Sequence, residues 1–192
     1  TSPNIVNYID KKIIQQDIDT ARTWQPDAII ACMHWGNEYQ SLPSQEQRQL
    51  ADWLLEQGVT HIVGSHPHVI QPMELRTDTL TGMQHAVVYS LGNFISNMSK
   101  VNTDGGLVFT LELEKDTVTS AIPNIRIRHC GYNLVWTARP TLTKEKNYII
   151  YPVDSTSISK LPEVARNSLN IFVKNSRKLL QQHNAGIRED KK

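Results

Sequence analysis

Two apolar runs in the first third of the chain each end directly in a segment that contains histidine. Residues 27–33 lead into His34, and residues 61–64 lead into the turn Ser65-His66-Pro67-His68. Each run is predicted to be a buried β-strand that stops at a polar turn. Because ligands collect at the carboxyl ends of strands in open α/β sheets, three imidazoles at two such ends predict part of a metal site.

A helix is predicted between these two strands. It starts near Pro43 and Ser44, since proline is tolerated in the first turn of a helix, and Gly58 suits the position just past its end. The strand–helix–strand unit is most simply a right-handed parallel crossover, which places both histidine segments at the same edge of the sheet.

The pattern changes to mainly β after the second histidine segment. A hairpin signature and several alternating stretches predict strands over residues 69–76, 85–90, 106–114, 118–130, 133–137 and 148–153. A helix is predicted at residues 161–185 and a flexible charged tail at residues 186–192, all within a single domain over residues 1–192.

Composition excludes several classes of protein. The chain has 192 residues, 39% of them hydrophobic, and a net charge of +1, which is ordinary for a folded domain and does not favour a nucleic-acid partner. No apolar run is long enough to cross a membrane. Cys32 and Cys130 lie in apolar stretches, so both are expected to be buried free thiols. A first residue other than Met is expected of a fragment, a processed form or a trimmed chain.

The histidines have alternative interpretations. Taken singly, His34, His66 and His68 are more often ordinary turn or surface residues, but together they favour a site for zinc, iron or manganese. Glu38, four residues after His34, is either an acceptor that orients an imidazole or a solvated loop acid. Asn93 either positions a substrate or caps a turn. A complete three-histidine zinc site within this chain is a further alternative.

Three linked segments resemble the CapA-type, or poly-γ-glutamate capsule synthesis, family. They are residues 34–39 (HWGNEY), 64–72 (GSHPHVIQP) and 89–94 (YSLGNF). The resemblance is strong over residues 27–94 and weak elsewhere. It implies an α/β fold, the C-terminal half of a metallophosphoesterase-like β-sandwich flanked by helices, with a two-metal centre at the strand ends. By the same analogy, His34 and His66 would share one divalent metal ion (Mn, Zn or Fe), and His68 would bind the other.

The early ligands of that superfamily, in Asp-containing and Asn-His segments, have no match ahead of His34. We therefore expect the site to be incomplete in this chain and dinuclear metal binding to be weak or absent, because two close cations without a bridging carboxylate repel. The resemblance implies that an N-terminal half or another chain completes the site. The surface that this half would cover is expected to drive self-association.

The family resemblance also implies a biological role. The chain would help to make, export or anchor an anionic capsule-type polymer such as poly-γ-glutamate, at the cell envelope or outside the cell. If the complete protein is catalytic, it would be a metal-dependent phosphoesterase-like hydrolase acting on a phosphoester or acyl group, with Glu38 and Asn93 orienting ligand or substrate. The alternative is a non-catalytic polymer-binding or assembly component that retains the scaffold.

Overall fold

The computed structural model describes residues 7–116 and 124–190. The helices are α1 (Lys11–Thr23), α2 (Gln45–Glu56), α3 (Pro140–Thr143) and α4 (Glu163–His183), and a 3-10 helix covers Thr156–Lys160. The strands are β1 (Ile30–His34), β2 (His61–Ser65), β3 (Met73–Thr77), β4 (Gln84–Val88), β5 (Gly105–Asp116), β6 (Asn124–Ala138), β7 (Ile149–Pro152) and β8 (Arg188–Glu189). Within the described ranges, no helix has the length and apolar character needed to cross a membrane.

The first sheet has the strand order β1-β2-β4-β3. Strands β1 and β2 are parallel and joined by α2, which confirms the predicted parallel strand–helix–strand unit. Helix α2 begins with a capping box, in which the Ser44 side chain accepts from the backbone of Gln47 and the Gln47 side chain accepts from the backbone of Ser44. Strands β3 and β4 pair antiparallel, which confirms the hairpin, and β4 is also parallel to β2. The sheet is therefore mixed.

The second sheet has the order β5-β6-β7, with β8 paired to β6. The described part of the strand predicted at residues 118–130, from residue 124 on, and the strand predicted at residues 133–137 belong to one long strand, β6, which lies in the middle of the sheet. The prediction of a separate edge strand was wrong, because Gly131 continues the strand where a break was expected. The turn predicted at Asp116 and Thr117, and the interruption predicted at Pro123, fall wholly or partly on residues 117–123, outside the described residues.

The C-terminal segment begins with ordered structure where a flexible tail was expected. Arg188 and Glu189 form β8, parallel to β6, and Ile187 is buried just ahead of it. The guanidinium of Arg177 on α4 donates two hydrogen bonds to the Glu189 carboxylate, at 2.9 and 2.7 Å. Burial of Ile187 and this paired contact together attach the segment to α4 and the second sheet.

Two apolar clusters organise an α/β fold with mixed sheets. The smaller cluster packs α1 and α2 against one face of the first sheet, through residues such as Leu54, Ile62 and Val87. The larger cluster joins the other face of that sheet to the second sheet and α4, through residues such as Val88 and Phe172. The carboxyl ends of β1 and β2 lie at the edge of this arrangement.

Strand β1 differs from the prediction of a fully buried strand. Its alternate residues Ile30, Cys32 and His34 are exposed, because β1 is the edge strand of the first sheet and the larger cluster takes its residues from β3 and β4 instead. Cys32 is therefore an exposed thiol, contrary to expectation. Cys130 is partly buried, and burial raises its pKa to about 11; both thiols are free.

Candidate functional site

The ends of β1 and β2 bring the predicted histidines together. His34 pairs with Ser65 in the parallel ladder, so the residue after Ser65 lies beside the end of β1. The ring centroids of His34 and His66 are 4.5 Å apart, and those of His66 and His68 are 5.9 Å apart. The three imidazoles therefore form one cluster, which we call the histidine cluster.

The backbone around this cluster is held in an unusual conformation. His66, His68 and Tyr39 have positive φ values of 103°, 60° and 66°. Residues other than glycine adopt this region at a cost of about 1–3 kcal/mol each, and such residues concentrate at functional sites. The backbone N–H of Tyr39 donates to the carbonyl of Pro67 at 2.8 Å, so the two strained segments support each other.

Asn93 determines how the ring of His68 is protonated. The amide nitrogen of Asn93 donates to the carbonyl of Thr103 at 2.8 Å, so its Oδ1 faces His68 and can only accept. Nδ1 of His68, 3.0 Å from that oxygen, is therefore the protonated nitrogen. In the neutral ring this leaves the lone pair on Nε2, the nitrogen that would bind a metal ion or accept a proton.

His34 is held in a similar but looser way. The hydroxyl of Ser65 donates to the carbonyl of Met33 at 3.2 Å, so its oxygen can only accept from Nδ1 of His34, 3.4 Å away. In the neutral ring of His34, this contact favours the tautomer whose lone pair is on Nε2. Ser65 was not predicted as a site residue, although it stands between the β2 run and His66 in the sequence.

Glu38 lies beside the imidazole of His68. Its Oε1 is 3.9 Å from Nε2 of His68, and both side chains are partly exposed. The next residue, Tyr39, stacks on His68 with ring centroids 6.3 Å apart, and Nζ of Lys100 lies 3.6 Å from the Tyr39 ring centroid. Desolvation, and then a hydrogen bond with Glu38, raises the pKa of Tyr39. Sequence reasoning missed Tyr39 and Lys100; Tyr39 adjoins Glu38, but nothing in the sequence marked Lys100.

The fit to a metal ion is incomplete. Imidazole nitrogens with free lone pairs suit zinc, iron and manganese. However, within residues 7–116 and 124–190, no group of three or more histidine, cysteine, aspartate or glutamate side chains is arranged to hold a metal ion. The assignment of His34, His66 and His68 as ligands stays a prediction, and these residues do not form a full coordination set by themselves.

Buried polar contacts support the segments that carry the cluster. Nε1 of Trp35 donates to the carbonyl of Tyr89 at 2.8 Å, so Trp35 has a core role. The amide of Gln71 accepts from Gln47 and donates to the carbonyls of Gln40 and Leu42, which anchors the loop after Glu38. Sequence reasoning missed this amide pair, although the Ser44-x-x-Gln47 spacing is a capping signal.

Ser90 belongs to the segment of residues 89–94 that also carries Asn93. It is fully buried, and its hydroxyl donates to the carbonyl of Val69 and accepts from the backbone of Gly92. These contacts connect the segment that carries Asn93 to the segment that follows His68. Ser90 therefore has a structural role at the base of the site.

Part of the chain is similar in sequence to two capsule proteins of Bacillus. The chain is 36% identical over 90 residues to a protein of Bacillus subtilis (strain 168) named PGA biosynthesis protein CapA, an alignment that covers 47% of this chain and 22% of that protein. It is 37% identical over 83 residues to the capsule biosynthesis protein CapA of Bacillus anthracis, with coverage of 43% and 19%. The chain thus spans about a fifth of the length of these relatives.

The family described as bacterial capsule synthesis protein PGA_cap matches residues 1–98. This range contains the histidine cluster together with Glu38 and Asn93. Half of the chain is matched, so the protein belongs to the PGA_cap family of bacterial capsule synthesis proteins.

Proposed function

We propose that this chain contributes the histidine-bearing part of a protein that makes, exports or anchors an anionic capsule polymer of the poly-γ-glutamate type. The histidine cluster would be its reactive centre, completed by another segment or another chain and loaded with divalent metal ions. The cell envelope or the exterior of the cell would be its place of action. Membership of the capsule synthesis family supports this role.

The convergence of three imidazoles at two neighbouring strand ends carries the proposal. The rings of His34 and His66 are 4.5 Å apart, and His66 and His68 both have positive φ values. A purely structural turn gains nothing from strain at two histidines, whereas a site that must aim both rings does. The hydrogen bond from Nδ1 of His68 to Asn93, which in the neutral ring leaves the lone pair on Nε2, is a second support.

The residues present have separate roles in this proposal. His34, His66 and His68 would hold metal ions, and Asn93 would keep the His68 ring oriented. A divalent ion held there would supply Lewis-acid activation of water for hydrolysis or transfer. Glu38, whose carboxylate lies 3.9 Å from His68, would orient the ligand or accept a proton from the substrate.

A metallophosphoesterase-like β-sandwich is the finer fold that we propose for the complete protein. Two mixed sheets share the larger apolar cluster, and α1 and α2 cover the outer face of the first sheet. The exposed alternate residues of the edge strand β1 offer a surface on which the completing segment, or a second copy of this chain, would pack. These features support the proposal without depending on the metal.

A non-catalytic polymer-binding or assembly component remains the second candidate. One specific observation favours it: in the described part of the chain, no three potential ligand side chains form a group that could hold a metal ion. A scaffold can persist after its chemistry is lost. The two candidates differ in whether turnover depends on metal and on His66.

The test is titration calorimetry with Mn²⁺ and Zn²⁺, followed by a phosphodiesterase assay. In the 192-residue chain we expect weak metal binding that His66→Ala removes and that the exposed control His183→Ala retains. In the longer protein that includes the completing segment, we expect Mn²⁺-dependent hydrolysis of an activated phosphodiester that His66→Ala lowers by at least about 100-fold.

Two outcomes would decide against the enzyme. Polymer binding without turnover, unaffected by a chelator and by His66→Ala, would establish the binding component instead. Two tight metal sites in the 192-residue chain alone, lost in His66→Ala, would contradict the proposal that the site needs completion.

A further inference from the structure

Three large apolar side chains are exposed on the loop between β4 and β5. Phe94, Ile95 and Val101 are 57%, 64% and 68% exposed. The loop continues directly from Asn93, the residue that orients the His68 ring. Apolar residues that are exposed singly are ordinary on a protein surface, whereas a group of them marks a surface that contacts another molecule.

The backbone of this loop is anchored although its apolar side chains are exposed. The carbonyl of Phe94 accepts from the hydroxyl of Thr137 on β6. The carbonyl of Lys100 accepts from the backbone and the hydroxyl of Thr103, at 3.1 and 2.7 Å, and Thr103 is fully buried. The exposed side chains therefore belong to a defined conformation, in which they gain nothing from burial within this chain.

A second exposed segment, residues 144–148, lies against the loop. The hydroxyl of Tyr148 donates to Oδ1 of Asn97 at 2.6 Å, and Tyr148 is itself 36% exposed. This hydrogen bond joins the two segments into one surface. We call residues 94–101 together with residues 144–148 the exposed patch.

The exposed patch has a positive charge. It contains Lys100, Lys144 and Lys146 but only one acid, Glu145, so its net charge is +2. The whole chain has a net charge of +1, so the residues outside the patch have a net charge of −1. All three lysines are exposed, and none forms an ion pair with any residue that the structure describes. Positive charge is thus concentrated where the apolar side chains are exposed.

An anionic membrane surface fits this combination. Negatively charged headgroups attract lysine side chains, and exposed apolar and aromatic side chains gain by entering the boundary between headgroups and acyl chains. A second copy of the chain fits less well, because contact between two such patches would bring like charges together. A bilayer deforms around protruding side chains, whereas a protein partner must match their shape.

We propose that the exposed patch is a contact surface for an anionic lipid bilayer. Phe94, Ile95 and Val101 would enter the interface, and Lys144 and Lys146 would pair with lipid phosphates. Such contact is peripheral and reversible, because only a few side chains enter the bilayer. The loop starts beside the histidine cluster, so this contact would hold the cluster near the membrane surface. The proposal depends neither on metal binding nor on hydrolysis.

The test is co-sedimentation of the 192-residue chain with vesicles of equal parts phosphatidylglycerol and phosphatidylcholine, in the presence of a chelator and about 0.1 M salt. We expect binding to these vesicles and much weaker binding to vesicles of phosphatidylcholine alone. Lys146→Gln should weaken binding about fivefold, the effect of one lysine near a charged membrane. Ile95→Ser should weaken it about tenfold, because an apolar side chain would no longer be buried in the interface.

Matched controls remove the same kinds of side chain from other exposed positions. Lys12→Gln on α1 and Leu80→Ser, at a position 94% exposed, should leave vesicle binding unchanged. Circular dichroism should be the same for all four variants, since none of these side chains is buried. His66→Ala should also bind vesicles as the unsubstituted chain does, so failure of the proposed metal chemistry would leave this result unaffected.

Several results would overturn the membrane contact. Absence of binding to the anionic vesicles would do so, as would equal losses in Lys146→Gln and Lys12→Gln, which would indicate general attraction of a charged surface. Unchanged binding in Ile95→Ser would show that no apolar side chain enters the bilayer. A dimer in sedimentation equilibrium that Ile95→Ser abolishes, without vesicle binding, would assign the exposed patch to a second copy of the chain instead.

Discussion

Asn93 accepts a hydrogen bond from Nδ1 of His68 at 3.0 Å, although the two residues are 25 positions apart in the sequence. The second contact of the Asn93 amide, with the carbonyl of Thr103, determines which of its ends faces the ring. The tautomer of His68 is therefore set by the loop that follows β4, and this dependence can be measured.

Replacing Asn93 by Leu removes the acceptor for Nδ1 of His68. We expect the ring, now free to lose the Nδ1 proton, to show a mixture of neutral tautomers, and the chain to lose about 1 kcal/mol of stability. Nitrogen-15 NMR of the histidine rings distinguishes the tautomers. Asn97→Leu, in the same loop but bonded to Tyr148, should leave the His68 signals unchanged. A His68 ring that stays protonated at Nδ1 in Asn93→Leu would contradict the assignment.

Gly64 is predicted to tolerate no side chain. A Cβ atom there would overlap the carbonyl oxygen of Tyr89 and Nε1 of Trp35, which are hydrogen-bonded to each other directly beside the glycine. We expect Gly64→Ala to lower the free energy of unfolding in urea by about 1–3 kcal/mol, because this rigid contact cannot move aside cheaply.

Gly82 provides the comparison for that substitution. It has a positive φ of 73° but no atom within 4 Å of an added Cβ, so Gly82→Ala tests backbone strain alone. We expect Gly82→Ala to lower the free energy of unfolding by about 1 kcal/mol. If Gly64→Ala lowers the free energy of unfolding no more than Gly82→Ala does, the close packing around Gly64 contributes less to stability than proposed.

His61 should make the protein less stable in mild acid. It is 1% exposed, its Nδ1 accepts from the backbone of Ala86, and its Nε2 has no partner among the described residues. Desolvation, and then the nearby His85, lowers the pKa of His61 from 6.5 to about 4. Between these values the unfolded chain binds a proton that the folded chain does not, so stability falls as the pH decreases from 6.5 to 4.

The effect of His61 amounts to roughly 3 kcal/mol at its largest, since one pKa unit corresponds to about 1.4 kcal/mol. Urea unfolding at several pH values should show this slope, and His61→Asn, which keeps an acceptor near the position of Nδ1, should reduce it. His183→Asn, at an exposed position, should not. An unchanged slope in His61→Asn would mean that folding does not lower the pKa of His61.

Ile187 tests whether the C-terminal segment is a structural part of the domain. It is 3% exposed in the larger apolar cluster, immediately ahead of β8. We expect Ile187→Ala to destabilise the protein by about 2–4 kcal/mol, as for other truncations of buried aliphatic residues. Val164→Ala, at a position 64% exposed, should change stability by less than about 0.5 kcal/mol. If both substitutions change the free energy of unfolding in urea by the same small amount, the C-terminal segment is only loosely attached to the domain.

The sequence predicted those features that depend on a few neighbouring residues. The apolar runs that end at His34 and His66 indicated two strand ends at one edge of a sheet, and the parallel pairing of β1 with β2 confirms that arrangement. Gly58 was expected just past a helix, and it has φ +88° after the C-cap of α2. Local periodicity and capping rules report on such features because their causes lie within a few residues.

The site partners could not be predicted in this way. Spacing suggested that Glu38 could orient an imidazole, but it did not show that this ring is that of His68, beside which the carboxylate lies. Nothing local connects Lys100 with Tyr39. Each of these pairs comes from separate elements whose relative placement depends on the packing of the two sheets and α4.

The sequence by itself determined the two histidine-bearing strand ends, the hairpin and the family of this protein. Only the tertiary structure decided that β1 has an exposed face, that Arg188 and Glu189 join the second sheet, and which nitrogen of His68 carries the proton. An apolar pattern shows that one face of an element prefers to be buried, but residues distant in sequence provide the element that covers this face. The acceptor for a polar side chain such as an imidazole likewise comes from residues distant in sequence.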